Sequence, residues 1–166
     1  MSEILRDAET GLYNEVFYTA SVPTRVASAK RALRPLSIVV LAVAGMRAED
    51  VAEALRRTVR EADLACRLEH GRFGVLLDET AIDGAVRMVE RLGAALHTQA
   101  GTVQLWAGIA AYPTDALDAV DLLQGADAAL REAMASGRSK VQLAAHLEPS
   151  SGVAPVRTVT ADGSKQ

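Results

Sequence analysis

A single cysteine, Cys66, in 166 residues excludes an internal disulfide framework and suits a reducing compartment. It lies in the apolar run Leu64-Ala65-Cys66, where a small, buried, inert thiol is the expectation. Aromatic residues are nearly as scarce, at 4%. With Ala, Leu and Val supplying most of the apolar side chains, an aliphatic core and close helix packing are expected. Neither sign of charge dominates. A formal net charge of −3 leaves no general electrostatic footprint for nucleic acid, so any anion site has to be local. The longest apolar stretch, Leu36 to Ala44, is far too short to span a bilayer. The opening MSEILRDAETG lacks the basic region and apolar run of a signal peptide. A cytoplasmic protein with no membrane or nucleic-acid partner is expected.

What is present suits one globular domain: 49% hydrophobic and 23% charged residues over a length that buries a real core. Asp7 to Asn14 is a turn-rich entry, and Asn14 is placed to cap a helix carrying Phe17, Val22, Val26 and Ala29. Pro23 is expected to kink or restart that helix, and Pro35 to close the helical region. Leu36 to Ala44 is a near-continuous β-branched run, which suits a central strand covered on both faces. Ala48-Glu49-Asp50 opens a second helix whose buried face is Val51, Leu55, Val59 and Ala62.

Leu64 to Leu77 reads as a β-hairpin, two apolar runs about the polar tip Glu69-His70-Gly71-Arg72. Thr80 or Asp78 is expected to cap a third helix with Ile82, Ala85, Val89, Leu92 and Leu96 inward. Thr102 to Tyr112 reads as a strand stopped by Pro113. Thr114 or Asp115 would then cap a fourth helix with Leu117, Val120, Leu123, Leu130 and Met134 inward. Ser136-Gly137 ends it, and Lys140 to Leu143 is a last short strand. From Glu148 to Gln166 the composition turns to Pro, Ser, Gly, Thr and Val without periodicity, which predicts a domain over 1–147 and a disordered tail over 148–166. There is no internal repeat. The order predicts an α+β fold, an α/β sandwich with one central, mostly antiparallel, five-stranded sheet flanked by helices.

The residues at the element junctions resemble the GGDEF domain of diguanylate cyclases, from Asp7 to about Leu143. Asp7-x-x-Thr10-Gly11-Leu12-x-Asn14 is similar to that family's opening D-x-L-T-G-L-x-N. Leu68, a four-residue tip and Phe73-Gly74-Val75-Leu76-Leu77 stand where its signature hairpin would be. Gly108-Ile109-Ala110, Ala126-Asp127-Ala128-Ala129-Leu130 and Ala135-Ser136-Gly137-Arg138 resemble later family segments in the same order.

The resemblance implies a nucleotide-cyclase-like fold and a family that condenses two GTP molecules into cyclic di-GMP with divalent metal. Against that pattern the signature is degenerate, standing as Glu69-His70-Gly71-Arg72-Phe73. The acids expected at the end of the first strand are replaced by Ala42 and Ala44. The loop that follows is shortened to Met46-Arg47-Ala48. A lysine expected near the triphosphate is Met134, with Arg138 retained. Because Mg²⁺ needs oxygen ligands, the resemblance implies no magnesium, no other cofactor and no cyclase activity here.

The family's product-binding inhibitory site is an R-x-x-D motif five residues before the signature. It stands here as Arg60-Glu61-Ala62-Asp63, followed by Leu64 to Leu68. A further family arginine matches Arg91, and Arg87, one turn earlier, shares its face. An arginine fork pairs with phosphate or with guanine O6 and N7, and a carboxylate such as Asp63 accepts from guanine N1 and N2. In isolation an Arg-x-x-Asp pair is ordinarily solvated and worth well under about 1 kcal/mol. His70, His97 and His146 have no partners at metal-ligand spacing and read as surface residues, Trp106 as core, and Arg72 as a solvated turn cation.

The expected function is a catalytically silent receptor for cyclic di-GMP through Arg60, Asp63, Arg91 and Arg87. A downstream protein partner and ligand-linked homodimerisation are expected with it. The alternative is a ligand-independent protein-interaction module using the altered tip or the tail. A third reading is GTP binding without turnover.

Overall fold

The computed structural model describes residues 3–137, 140–144 and 158–159. The elements are α1 (Glu15–Ala32), β1 (Leu36–Ala44), α2 (Ala48–Thr58), β2 (Leu64–Arg67), β3 (Arg72–Asp78), α3 (Ile82–Ala100), β4 (Gln104–Tyr112), α4 (Ala119–Ala135), β5 (Lys140–Leu143) and β6 (Thr158–Val159). The sheet order is β2-β3-β1-β4-β5-β6. Among the described strands only β4 and β5 pair in parallel, so the fold is α+β with a mostly antiparallel sheet, as the sequence predicts. No helix among the described residues is long and apolar enough to cross a membrane.

Strand β1 is central because its apolar run leaves nothing for water, and Leu36 to Ala42 are all buried. Successive side chains point to opposite faces. Val39 and Leu41 therefore enter a core under α2 and α3, whereas Ile38 and Val40 enter one under α1 and α4. Across the α1/α4 face runs a row of small residues, since Val40 pairs with both Gly74 and Gly108. A Cβ at Gly74 would lie 2.7 Å from Tyr18 Cε2. One at Gly108 would overlap the Ala126 carbonyl oxygen and the Leu130 nitrogen. Both helices thus rest almost directly on the sheet, which is how a core with few aromatics closes.

That close approach corrects part of the expected inward face of α4: Leu130 is buried and Leu123 partly buried, as expected, but the rest differ. Its inward residues are Leu122, Ala126, Ala129, Leu130 and Ala133, while Leu117, Val120 and Met134 are exposed. Where the helix backbone sits on Gly108 the contact is made by the small residues Ala126 and Ala129, with Leu122 and Leu130 buried to either side. Its N-cap is Asp118, not Thr114 or Asp115; buried Asp115 instead accepts the Ala111 N–H at 2.9 Å. Helix α3 starts after Ala81 with no side-chain cap, because Thr80 and Asp78 are engaged elsewhere. Asn14 does cap α1, accepting from the Phe17 N–H at 3.1 Å. That helix runs unbroken through Pro23 and ends with Leu33 in the left-handed region, ahead of Pro35. Ala62 lies outside α2 and is exposed. Most of the predicted disordered tail lies outside the described residues. Thr158–Val159, inside it, pair with β5 as a sixth strand where five were expected.

The packing of α4 on β4 gives a stability prediction. Gly108→Ala is expected to destabilise the fold by about 1–3 kcal/mol through overpacking against a helix backbone that cannot retreat. Gly93→Ala, inside α3 with its new Cβ at an ordinary 3.6 Å from Leu105 Cδ2, is expected to gain about 0.5–1 kcal/mol of helix propensity. Urea titration of both variants reads the difference. Equal midpoints would show that α4 shifts freely on the sheet.

Candidate functional site

The β2–β3 hairpin has two chemically different ends. Its tip is a helical turn over Glu69–Gly71, with His70 and Gly71 at positive φ and Arg72 opening β3. Phe73 is buried beneath the Arg67 guanidinium, whose carbon lies 4.6 Å from the ring centroid. Arg72 is no solvated turn cation. Its Nη2 is 3.8 Å from Glu15 Oε1 on α1, and its Nη1 donates to Asp127 Oδ1 on α4 at 3.4 Å. The Glu69 N–H donates to Glu15 Oε2 at 2.8 Å. Burial holds the Asp127 carboxyl above its usual range. Ala42 pairs with Arg72 on one side and Trp106 on the other, so a methyl, a guanidinium and an indole fill this edge of the sheet. Trp106 does pack against the core as expected, though its buried Nε1, like the Tyr18 hydroxyl, has no hydrogen-bond partner among the described residues.

The base of the hairpin is organised by one carboxylate. Arg60 and Asp63 do not sit at a helix end. They close a turn after α2, in which the Asp63 N–H donates to the Arg60 carbonyl at 3.0 Å. The Asp63 side chain is 2% exposed, and a buried carboxylate is tolerable only when its lone pairs are used. Its Oδ2 accepts from the Arg60 N–H at 3.0 Å and Arg60 Nε at 3.2 Å. Its Oδ1 accepts from Arg60 Nη2 at 3.2 Å and the Asp78 N–H at 3.1 Å. Arg60 Nη2 also donates to the Asp78 carbonyl at 2.5 Å and the Thr80 hydroxyl at 2.8 Å. The hydrogen bond and charge of Asp63 raise the Arg60 pKa above its ordinary value. The pair is therefore not the solvated one an isolated motif suggests, and Asp63 has little capacity left for a ligand.

Arg60 and Asp63 open onto a cleft of about 680 Å³ against the first turns of α3. Thr80, Gly84, Arg87, Met88 and Arg91 line it, so the four residues singled out from the sequence come together in one place. Arg87 donates to Asp83 at 3.3 Å on the rim, and Arg91 has no side-chain partner among the described residues. Three carboxylates also line the cleft: Glu79, paired with Arg34 at 2.5 Å, Asp83 and Glu90. The cleft thus offers guanidinium donors and carboxylate acceptors side by side.

Sequence reasoning missed Arg25. From α1, its Nη1 donates to the Ala62 carbonyl at 2.8 Å and to Asp78 Oδ2 at 2.6 Å. These contacts span 37 and 53 residues, and no local pattern announces them. Arg138 and His146 lie outside the described residues. Exposed His70 and His97 have no metal-ligand set about them, and among the described residues no three His, Cys, Asp or Glu are grouped to hold a metal ion. Burial pushes the Cys66 thiol up to about 12, consistent with an inert thiol.

Comparison with known proteins places this arrangement. The family profile described as diguanylate cyclase, GGDEF domain, matches residues 49–140. Diguanylate cyclase DgcS of Shewanella oneidensis is 28% identical over 154 residues, 82% of this chain and 52% of DgcS. Diguanylate cyclase A of Treponema denticola is 28% identical over 102 residues, 57% of this chain and 28% of that protein. The chain thus spans about half the length of the first relative and less of the second. Among solved structures, the isolated GGDEF domain of TpbB (YfiN) from Pseudomonas aeruginosa superposes with a TM-score of 0.75 at 25% identity, covering 84% of this chain and 94% of that one. The GGDEF domain of DgcB from Caulobacter crescentus, solved in complex with c-di-GMP, gives a TM-score of 0.71 at 16% identity over 84% and 93% of the two chains, a likeness of fold alone. With more than half of its residues inside the family profile and the same fold around them, this chain belongs to the GGDEF domain family of diguanylate cyclases.

Proposed function

We propose that this domain is a catalytically silent receptor for cyclic di-GMP, bound in the cleft at the base of the hairpin. The observation that carries the reading is the placement of Arg60, Arg87 and Arg91, drawn from two separate stretches, around one open cleft. Cyclic di-GMP presents two phosphates and two guanine edges. Guanidinium forks suit the phosphates and guanine O6/N7. Because Asp63 is consumed by its own turn, the acceptors left for guanine N1–H and N2–H are the rim carboxylates Glu79, Asp83 and Glu90.

At the tip, the residues present do not fit a divalent cation. Such an ion needs several oxygen ligands, and the edge carries Ala42, Ala44 and Gly71. The two nearby carboxylates, Glu15 and Asp127, already face the Arg72 guanidinium. A cation there would have to displace an internal one. This supports the reading that condensation of GTP is lost. A downstream protein partner and ligand-linked dimerisation belong to the same proposal, and sedimentation with and without ligand reads the latter.

A second reading rests on the tip's surface. Val16, exposed on α1, shares a shallow depression with Glu69, His70 and Gly71, a small apolar and polar patch suited to a protein contact. An unchanged hydrogen-exchange pattern on adding cyclic di-GMP, together with protection at Val16 and His70 by a captured partner, would favour this interaction-module role.

Calorimetric titration of the full chain with cyclic di-GMP is expected to give saturable heat with a micromolar Kd, a binding free energy of about −8 kcal/mol. Arg60→Ala and Arg91→Ala are each expected to weaken binding about tenfold or more, the worth of a charge-assisted hydrogen bond. Arg72→Ala is expected to retain wild-type affinity. Absence of heat at millimolar ligand would sink the receptor reading. In a separate assay with GTP and Mg²⁺, no pyrophosphate and no cyclic di-GMP are expected above the protein-free background. Turnover abolished by Asp127→Asn would overturn the loss of catalysis.

A further inference from the structure

Arg60 stands at the cleft because other residues hold it there. Its side chain is 58% exposed, yet its fork is fixed at Nε and Nη2 by Asp63, the Asp78 carbonyl and the Thr80 hydroxyl. An exposed arginine ordinarily samples many rotamers, and ordering one on binding carries an entropic cost. Here that ordering is in place before any ligand arrives. Nη1 has no partner among the described residues, so one edge of the guanidinium stays available.

Behind this arrangement stands Arg25. Residue Asp78 is a junction: its N–H goes to Asp63, its carbonyl receives Arg60 and Thr80, and its carboxylate receives Arg25. The same Arg25 Nη1 reaches the carbonyl of Ala62, inside the 60–63 turn. Arg25 therefore ties the turn and the end of β3 together from α1, without lining the cleft itself. The ion pair is partly exposed, at 28% and 36% for the two side chains, and pairs of that kind contribute little to global stability. Its geometric effect is different, because it fixes the spacing between the two backbone segments that define where Arg60 points.

We propose that Arg25 and Asp63 are positioning residues for ligand binding, acting on the ligand only through Arg60; this rests on the receptor reading above. Asp63, with both oxygens satisfied inside the protein, orients the fork and does not read the guanine edge. Arg25 holds the turn in which that fork is built. The other cation lining the small depression beside Arg25 is Arg34, which is paired with Glu79 and does not take the place of Arg25 at the Ala62 carbonyl.

Double-mutant cycles on the full chain test this. Arg25→Met is expected to weaken cyclic di-GMP binding about tenfold, the usual scale for removing a supporting contact, with little change in the urea midpoint. Arg25→Lys, which keeps the charge and a donor, is expected to recover part of the loss. Combined with Arg60→Ala, both Arg25→Met and Asp63→Asn are expected to cost nothing further, since each acts through the missing arginine. Losses that multiply with Arg60→Ala would overturn the proposal, as would wild-type affinity in Arg25→Met. Should Asp63→Asn fail to fold, the Arg25 cycle decides.

A ligand-free readout separates this inference from the receptor reading. The Arg60 Nε–H resonance, assigned by its loss in Arg60→Ala, is expected to be protected from solvent exchange in the wild type and in Arg25→Lys, and to enter fast exchange in Arg25→Met. An unchanged resonance in Arg25→Met refutes positioning. Failure of the wild type to bind refutes the receptor reading alone.

Discussion

A carboxylate buried to 2% exposure at Asp63 is the constraint on which the rest of the hairpin depends. Moving an ionised carboxylate out of water costs several kcal/mol unless hydrogen bonds replace the water. Four donors do so here, two from the Arg60 side chain and two from backbone, and between them they fix a turn, the end of β3 and one guanidinium. Thr80 is drawn into the same arrangement, which is why it does not cap α3. A single desolvated charge therefore explains the shape of the turn, the uncapped helix start and the placement of the arginine beside the cleft.

Much of the fold was legible because period-2 and period-3.6 patterns translate directly into faces. The unbroken apolar run of β1 could only be a doubly covered strand, and the hairpin followed from its polar tip between two apolar runs. The inward face of α4 was misjudged for a definite reason. Counting large apolar residues as inward fails where a helix lies on a glycine row, because there the alanines pack and Leu117, Val120 and Met134 are left outside. Propensity alone predicts a kink or restart at Pro23, yet α1 continues past it with Val22 and Val26 buried on either side. Capping residues for α3 and α4 were misplaced because Asp78, Thr80 and Asp115 each had a stronger demand elsewhere. Motif spacing found Arg60, Asp63, Arg87 and Arg91. It could not show that Asp63 is saturated, since that depends on the Asp78 N–H arriving from fifteen residues away.

The two arginines at opposite ends of the hairpin carry the functional contrast. Arg72 and Arg60 are both held by carboxylates, but with different geometry. Arg72 bridges two elements, α1 and α4, so its charge is spent on closing the space between them. Arg60 is held by a carboxylate three residues away in its own turn, so the fork is steadied without anything standing in front of it. An internal cation at the tip and a steadied one beside an open cleft are what a domain that binds without turnover would require on the reading proposed here.

Helix α1 holds both ends of the hairpin by side-chain contacts. Glu15 in its first turn holds the Glu69 N–H and faces Arg72, and Arg25, ten residues on, holds Ala62 and Asp78. At 1.5 Å per residue those two anchor points are about 15 Å apart along the axis, close to the span of a five-residue strand. The hairpin is thus clamped lengthwise against a rigid rod. Two of those contacts lie at the tip and two at the base, so one helix joins the ends of the hairpin.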